Sequence, residues 1–243
     1  MLLHRFLIIL ISVFLFACVS NVAKQAKSDK KETKPANAGF LIMFSEMRPH
    51  EPEASVRMMI TDQFLRIDEG PNSEDFILFN RQSKSIFNVV QEDKSILTIK
   101  PVEKDIEPPF PLRWIIESQT SQALMRSQNN NDATATHYLY YLNEEPCYNL
   151  VTINNQLVET LDAMREYNQV LGNELKSNYH HMEGQQCHEA INIFDPNIRL
   201  QYGFPLREWS VYGYQRFLVD FKKDIIFPAS LFELPKNYQN ISL

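Results

Sequence analysis

The residues whose types and spacing could do chemistry are concentrated around Cys187. His180, His181 and His188 lie within seven positions of this cysteine. Imidazole and thiolate groups are zinc ligands, so the stretch is a candidate metal site. It has no paired C-x2-C spacing, however, and oxidation of Cys187 would remove the thiolate ligand. We therefore expect no metal and no other cofactor here.

The chain begins with the pattern of a bacterial secretory signal. The apolar run over residues 6–16 is about half of the roughly 20 residues that a membrane-spanning helix needs. It ends in Leu15-Phe16-Ala17-Cys18, which resembles the bacterial lipobox, whose cysteine is diacylated before a peptidase cuts ahead of it. This resemblance implies a lipoprotein signal peptide over residues 1–18 and a lipidated Cys18 that carries acyl chains such as palmitate. A plain signal peptide followed by a chance cysteine is the alternative.

A lipid anchor determines where the mature chain is expected. More than one acyl chain holds a domain durably on a membrane surface, so the protein should be tethered without spanning the bilayer. Val19 and Ser20 do not supply the aspartate retention signal of enterobacterial lipoproteins. By that sorting pattern we expect the bacterial outer membrane, with the protein facing the periplasm.

Two segments of different composition follow the anchor. The Lys-rich segment 19–38 has no aromatic residue and no hydrophobic periodicity, which predicts a flexible tether. The remainder, 39–243, is expected to form a single periplasmic domain. It carries 18 Lys and Arg against 28 Asp and Glu, an acidic balance that argues against nucleic-acid binding.

If Cys18 is lipidated, Cys147 and Cys187 are the only cysteines that remain. Disulfides form and persist in the periplasm, so we expect these two residues to be bridged. The bridge would close a loop of about 40 residues, which the chain-entropy model values at roughly 4 kcal/mol. Two unpaired thiols are the alternative.

Enzyme motifs are largely missing from the sequence. The six glycines are scattered, so there is no phosphate-binding loop, no dinucleotide fingerprint and no nucleophile elbow. No local group of Asp, Glu, Ser or His suggests an acid, a base or a nucleophile. We therefore predict a non-enzymatic protein that binds no nucleotide.

Short apolar runs separated by polar turn formers predict an antiparallel meander. The expected strands are 41–45, 56–60, 64–68, 76–79, 86–90, 96–100, 112–117, 134–142 and 209–221, with a closing hairpin from 225–227 and 230–234. Gly213 is expected to mark a bulge within 209–221. Both faces of the strand 76–79 are apolar, so this strand needs cover on each face or a cavity on one.

One helix is predicted from Asn155 to Lys176, with Asn154-Asn155 as its cap. Its apolar stripe consists of Leu157, Leu161, Met164, Leu171 and Leu175. A single stripe covers only part of a sheet, so we expect an apolar pocket between sheet and helix. The alternative is that 112–116 and 209–221 fill this space as core.

The lipidated cysteine, the tether, the meander and the terminal LFELPKNY, 231–238, look like small envelope lipoproteins of unknown function. The strand pattern is similar to the lipoprotein-localisation carriers of the LolA and LolB type. The resemblance implies an α+β fold: a strongly curved antiparallel sheet, an unclosed barrel, with one long amphipathic helix and short helices packed on it. It carries no functional residue across, so the ligand-binding residues stay unknown.

Two functions are therefore expected of the chain. The first is a membrane-anchored periplasmic lipoprotein that binds an apolar ligand, such as a lipid or acyl chain, or another lipoprotein. The second is an accessory lipoprotein that binds another cell-envelope protein through its surface.

Overall fold

The computed structural model describes residues 37–120, 135–154, 156–181 and 183–242. The predicted signal peptide, the lipidated Cys18 and all but the end of the tether lie outside the described residues. The strands are β1 Ala38–Met47, β2 Ala54–Thr61, β3 Phe64–Asp68, β4 Phe76–Asn80, β5 Ser85–Val90, β6 Ser95–Ile99, β7 Trp114–Thr120, β8 Ala135–Leu142, β9 Glu145–Ile153, β10 Phe204–Ser210, β11 Gln215–Ile226 and β12 Gln239–Ser242. The helices are α1 Val158–Ser177 and α2 Gln186–Glu189, with a π-helical turn at Ala190–Phe194 and 3-10 turns at Ile198–Leu200 and Ala229–Phe232.

All twelve described strands belong to one curved, unclosed sheet. Their order is β12-β6-β5-β4-β3-β2-β1-β11-β10-β9-β8-β7, so β12 and β7 are the two edges. Neighbouring strands run antiparallel except β12 and β6, which are parallel. The predicted mostly antiparallel sheet with few helices is therefore confirmed in this coarser form, with one parallel pair at an edge.

The meander from β2 to β6 follows the predicted strands within a few residues. Short turns join these strands, and Lys84 and Lys94 take positive φ angles of 54° and 47° in two of them. Hairpins of this kind depend on neighbouring residues only, which is why short apolar runs and the turn formers between them predict these strands.

Three details of the predicted elements are wrong. The segment 209–221 is not one strand, because β10 ends at Ser210 and Gly213, with φ 88°, lies in the turn before β11. The predicted closing hairpin is absent from the described residues: 225–226 end β11, and 229–232 form a 3-10 turn. The helix α1 begins after Leu157, whose φ of 53° is left-handed and which makes no side-chain cap bond, whereas Asn155 lies outside the described residues.

The inner face of the sheet is defined here as the face on which α1 packs. Its main apolar cluster joins Ile42, Phe44, Leu65 and Phe79 of the strands to Leu161 of α1. The helix therefore lies across the first strands of the meander. Burial of apolar side chains, about 25 cal/mol per Å² removed from water, is the main force that holds it there.

A second cluster on the inner face lies under the short helices. Tyr140 of β8 and Leu150 of β9 pack with Ile191 and Ile198. Trp114 lies edge-on to Tyr140, with their ring centroids 6.2 Å apart. The aromatic end of β7 therefore belongs to this cluster.

The outer face of the meander is covered by the C-terminal segment. Phe76 and Leu78 of β4 pack there with Phe227 and Phe232, and Phe232 stacks on Phe64 with ring centroids 5.3 Å apart. The two apolar faces of β4 thus each have cover, one from the cluster under α1 and the other from residues near the end of the chain.

Candidate ligand-binding cavity

A cavity of about 900 Å³ lies between the inner face of the sheet and α1. The sequence predicts a pocket between these same two elements. Its apolar wall includes Val56, Met58, Leu65 and Ile67 of the strands and Met164 and Leu171 of α1. The first segment proposed as filler, 112–116, packs in the second cluster through Trp114. The other, 209–221, is divided: Leu218 and Phe221 pack against the main cluster, whereas Ser210 and Tyr214 line the cavity.

The cavity lies beside the C-terminal half of the apolar stripe of α1. Leu157, Leu161 and Met164 are buried, but Leu175 is 40% exposed. Leu171 and Leu175 both line the cavity. The predicted stripe is therefore packed at its beginning and borders open space at its end.

A row of charged side chains crosses three neighbouring strands on the inner face. Glu46 of β1 lies opposite Arg216 of β11, and Arg216 lies opposite Glu208 of β10. Arg216 forms a close ion pair with Glu208 through Nη2, and its Nη1 lies 3.6 Å from Oε1 of Glu46. All three residues line the cavity, so alternating charges form part of its wall.

Arg199, in the 3-10 turn that packs over β10, extends this row. Its Nη1 donates to the hydroxyl of Tyr148 at 3.1 Å and lies 3.4 Å from Oε2 of Glu208. The Tyr214 hydroxyl donates to Oε1 of Glu46 at 3.2 Å. We call Glu46, Arg199, Glu208 and Arg216, with Tyr148 and Tyr214, the charged row.

Burial makes this electrostatic arrangement strong. Burial alone would raise the pKa of Glu208, but the guanidinium groups of Arg216 and Arg199 hold its pKa below the ordinary value. Burial would likewise lower the pKa of Arg216, yet Glu208 and the nearby tyrosines raise that pKa. Glu208 is therefore ionised and both arginines are charged at neutral pH, inside the protein.

The guanidinium groups of the charged row have donors to spare. The Nε atoms of Arg199 and Arg216 are buried and have no hydrogen-bond partner among the described residues. A buried donor without an acceptor is unfavourable by about 1–3 kcal/mol, and such groups are rare in folded proteins. Oε1 of Glu208 is likewise buried without a hydrogen bond among the described residues, although it forms an ion pair with Arg216.

The structure places Cys147 and Cys187 at disulfide distance, as the sequence predicts. Their Cα atoms lie 5.4 Å apart and their sulfur atoms are bonded. Both residues are buried in the second cluster. The bridge fastens α2 to β9, beside Tyr148 of the charged row.

The histidines near Cys187 have separate neighbours. Nδ1 of His181 lies 2.9 Å from Oε2 of the buried Glu189 and 3.1 Å from the hydroxyl of Tyr179. His188 lines the cavity, and burial lowers its pKa. In the described part of the chain, no three His, Cys, Asp or Glu side chains are grouped so that they could hold a metal ion.

The tyrosines of β8 are packing residues in this structure. Tyr140 is buried, and its hydroxyl lies 3.5 Å from the carbonyl oxygen of Ile198. Tyr138 stacks on Tyr202 with centroids 4.4 Å apart, and His137 stacks on Trp209 at 5.2 Å. The aromatic side chains of β8 therefore pack against other rings and leave polar groups to hydrogen-bond, as is usual for half-buried tyrosines.

The charged row is the site that sequence reasoning missed, although a signal was present. Glu46 continues the period of two set by Phe40, Ile42 and Phe44, which are all buried. Glu208 gives no such signal, because a register irregularity between Pro205 and Arg207 interrupts the alternation that begins at the buried Phe204. A charge in phase with buried apolar residues indicates an inward-facing polar group.

Comparisons with known proteins assign no family to the chain. No protein family and no curated protein matches the sequence. Among solved structures, an uncharacterized conserved protein from Thermus thermophilus is similar over 85% of this chain and 91% of its own, with 11% identity and a TM-score of 0.44. PNGF-II in a C2 crystal form is similar over 85% of this chain but only 31% of its own, with 8% identity and a TM-score of 0.39. Among the described residues, no helix is both long and apolar enough to cross a bilayer.

Proposed function

We propose that this chain is a non-enzymatic lipoprotein of the bacterial envelope, anchored to the outer membrane through Cys18, whose cavity binds an apolar ligand. The ligand is a lipid, an acyl chain or the acyl group of another lipoprotein. The single observation that carries the proposal is the cavity of about 900 Å³ between sheet and α1. Small-molecule sites are typically concave, mostly apolar and roughly 300–1,000 Å³ in volume.

The side chains that line the cavity support a flexible chain as the ligand. Its apolar wall combines long, adaptable side chains, such as Met58 and Met164, with the branched Val56 and Ile67. Methionine adapts to ligands without one fixed shape. As part of the same proposal, the fold is similar to that of the LolA and LolB carriers, in which helices lie over the mouth of a curved sheet.

An accessory lipoprotein that binds another envelope protein is the second candidate. The observation that favours it is a pair of adjacent exposed apolar residues in the β10–β11 turn, Val211 at 51% and Tyr212 at 41%. Exposed apolar groups next to one another can mark a protein-binding surface. In that case the cavity should be empty in the purified protein.

Native mass spectrometry of residues 19–243, purified without detergent, tests the first candidate. This fragment lacks the anchor but contains every residue that the structure describes. We expect a co-purifying species with the mass of a lipid or fatty acid. An empty wild-type protein would contradict the carrier proposal and favour the accessory one.

A matched pair of helix variants ties the bound mass to the cavity. Leu171→Trp places a large side chain where Leu171 lines the cavity, so the bound mass should be lost. Val158→Trp adds the same side chain at an exposed position of α1 and serves as the control. Retention of the ligand in both variants would place it outside the cavity.

A further inference from the structure

We propose that two copies of this chain associate through β7, an edge of the sheet, and that their β7 strands pair antiparallel about a two-fold axis at Ile115. The partner is therefore a second copy of the chain. The pairing places Arg113 of each copy opposite Glu117 of the other. It does not depend on the proposed ligand, because the described wall of the cavity includes no residue of β7.

The backbone of β7 has hydrogen-bonding groups that point away from the sheet. Among the described strands, β7 pairs with β8 alone. The amide of Asn143 donates to the carbonyl oxygen of Arg113 at 2.9 Å, so the backbone groups of Arg113 point towards β8. Because this direction alternates along an antiparallel strand, those of Trp114, Ile116 and Ser118 point to the open side. None of these three forms a further backbone hydrogen bond with a described residue.

The strand β7 lacks most of the features that keep an edge from pairing. Short length, proline, lysine and bulges usually protect an edge strand. The strand is seven residues long and contains no proline and no lysine, and its register with β8 is regular. The opposite edge, β12, has only four residues. Of the two described edges, β7 is therefore the better suited to a partner strand.

The side chains of β7 and its first neighbour separate onto two faces. Trp114 and Ile116 pack against the second cluster on the inner face. Arg113, Ile115 and Glu117 alternate with them and are exposed, Ile115 to 46%. An apolar residue therefore lies between a positive and a negative charge on the outer face of the edge.

The two charges have no partner within the chain. Arg113 and Glu117 are four residues apart, which is about 13 Å along a strand, so they do not reach each other. Neither forms an ion pair with another described residue. A reversed copy of the same strand would supply an opposite charge to each of them.

Charge order and hydrogen bonding lead to the same register. With the axis at Ile115, Arg113 lies opposite Glu117 of the other copy, and the symmetry of the dimer repeats this pair. Trp114 then lies opposite Ile116 of the other copy, and these two residues exchange the backbone groups that point to the open side. An axis at Ile116 would also permit hydrogen bonds, but it would place Glu117 opposite Ile115. The charges therefore select the axis at Ile115.

A cysteine at the axis tests this register in residues 19–243. Ile115→Cys places two thiols in a pair whose Cα atoms are about 4.5 Å apart, within the range that a disulfide spans. We expect air oxidation to give a covalent dimer, linked through the introduced cysteine in a peptide mass map. Gln119→Cys is the control, because Gln119 is exposed on the same face but its two copies would lie about 26 Å apart. Equal crosslinking of the two variants, or none in Ile115→Cys, overturns the pairing.

Charge reversal tests the same interface without an added thiol. Arg113→Glu and Glu117→Arg each replace two attractive pairs by two repulsive ones, so each should raise the dimer dissociation constant about five- to a hundredfold. These reversals change the net charge in opposite directions, so a general charge effect would not weaken the dimer in both. The double variant Arg113→Glu, Glu117→Arg restores opposite charges and should dimerise like wild type.

Sedimentation velocity over a concentration series measures these differences. All of the substituted side chains are exposed, so the variants should fold. Lys222→Glu reverses an exposed charge on β11 and should leave the dissociation constant unchanged. A wild-type protein that stays monomeric at every concentration overturns the dimer. A double variant that is as weak as the single variants overturns the pairing of Arg113 with Glu117.

Discussion

Glu208 and Arg216 face each other across β10 and β11 and form an ion pair inside the protein, where the Glu208 side chain is 1% exposed. Buried ion pairs contribute little net stability over apolar residues, because desolvation offsets their attraction. Truncation of one partner, in contrast, is strongly unfavourable because it leaves a buried charge uncompensated.

Removal of the Glu208 charge should destabilise the fold. In Glu208→Gln, Arg199 and Arg216 lose their shared buried carboxylate, so we expect about 3–5 kcal/mol less free energy of unfolding at pH 7. The folded pKa of Glu208 is lowered from 4.5. Its contribution is therefore present above 4.5 and is lost as the pH falls through the folded pKa. Urea denaturation should show the difference between wild type and variant shrinking below pH 4.5.

Glu166→Gln is the control for that experiment. Glu166 pairs with Arg81 and Lys84 but is 28% exposed. Partly exposed pairs contribute about 1 kcal/mol or less, so this variant should stay close to wild type. Equal losses in the two variants would argue against a special role for the buried row.

Reduction of the Cys147–Cys187 bridge should lower stability because the denatured chain regains the entropy of a loop with 40 residues of sequence separation. The expected loss is about 4 kcal/mol by the chain-entropy model. Guanidinium denaturation with and without reductant measures it. The double variant Cys147→Ser, Cys187→Ser should be insensitive to reductant. Free thiols at both cysteines in denatured protein isolated without reductant would contradict the pairing.

The anchor is tested at Cys18. Cys18→Ala removes the thiol that takes the lipid, so the chain should either leave the membrane fraction or stay as an uncleaved precursor. Fractionation, with mass analysis of the mature N-terminus, distinguishes these outcomes. The Cys147→Ser, Cys187→Ser double variant should remain anchored. A mature, carbonate-resistant Cys18→Ala protein would refute the lipobox interpretation.

The cover of the outer sheet face is tested at Phe232, which is 7% exposed and stacks on Phe64. Phe232→Ala should destabilise the protein by about 3–5 kcal/mol because it leaves a cavity over β3 and β4. Ile226→Ala, at a side chain that is 68% exposed, should change stability by less than about 0.5 kcal/mol. Thermal melts of both variants measure the difference. A negligible effect at Phe232 would show that the C-terminal segment is dispensable.

Local sequence determined the meander and α1. Short apolar runs and polar turns between Val56 and Ile99 predict the hairpins from β2 to β6, because each hairpin pairs residues that are near one another in the chain. The three-and-four spacing of Leu157, Leu161 and Met164 likewise predicts the packed half of α1.

Other elements were hidden by their local composition. The strand β9 begins with Glu145 and Pro146, and the preceding turn, Asn143-Glu144, lacks the glycine that usually marks a tight hairpin. The turn between β10 and β11 contains Val211 and Tyr212, which are residue types common in strands. Strand propensity reflects the surroundings more than the backbone, so these segments could not be assigned without their neighbours.

The charged row was decided by tertiary structure. The sequence by itself puts Glu46 in phase with the apolar residues Phe40, Ile42 and Phe44, and it leaves Cys147 and Cys187 as a pair if Cys18 carries a lipid. The partner of Glu46, however, is Arg216, which is far along the chain and becomes its neighbour only because β11 inserts beside β1. Side-chain alternation along a strand determines which face of the sheet a residue occupies. The order of the strands determines which charged residue lies beside it. That order depends on packing over the whole chain, so local sequence does not predict it.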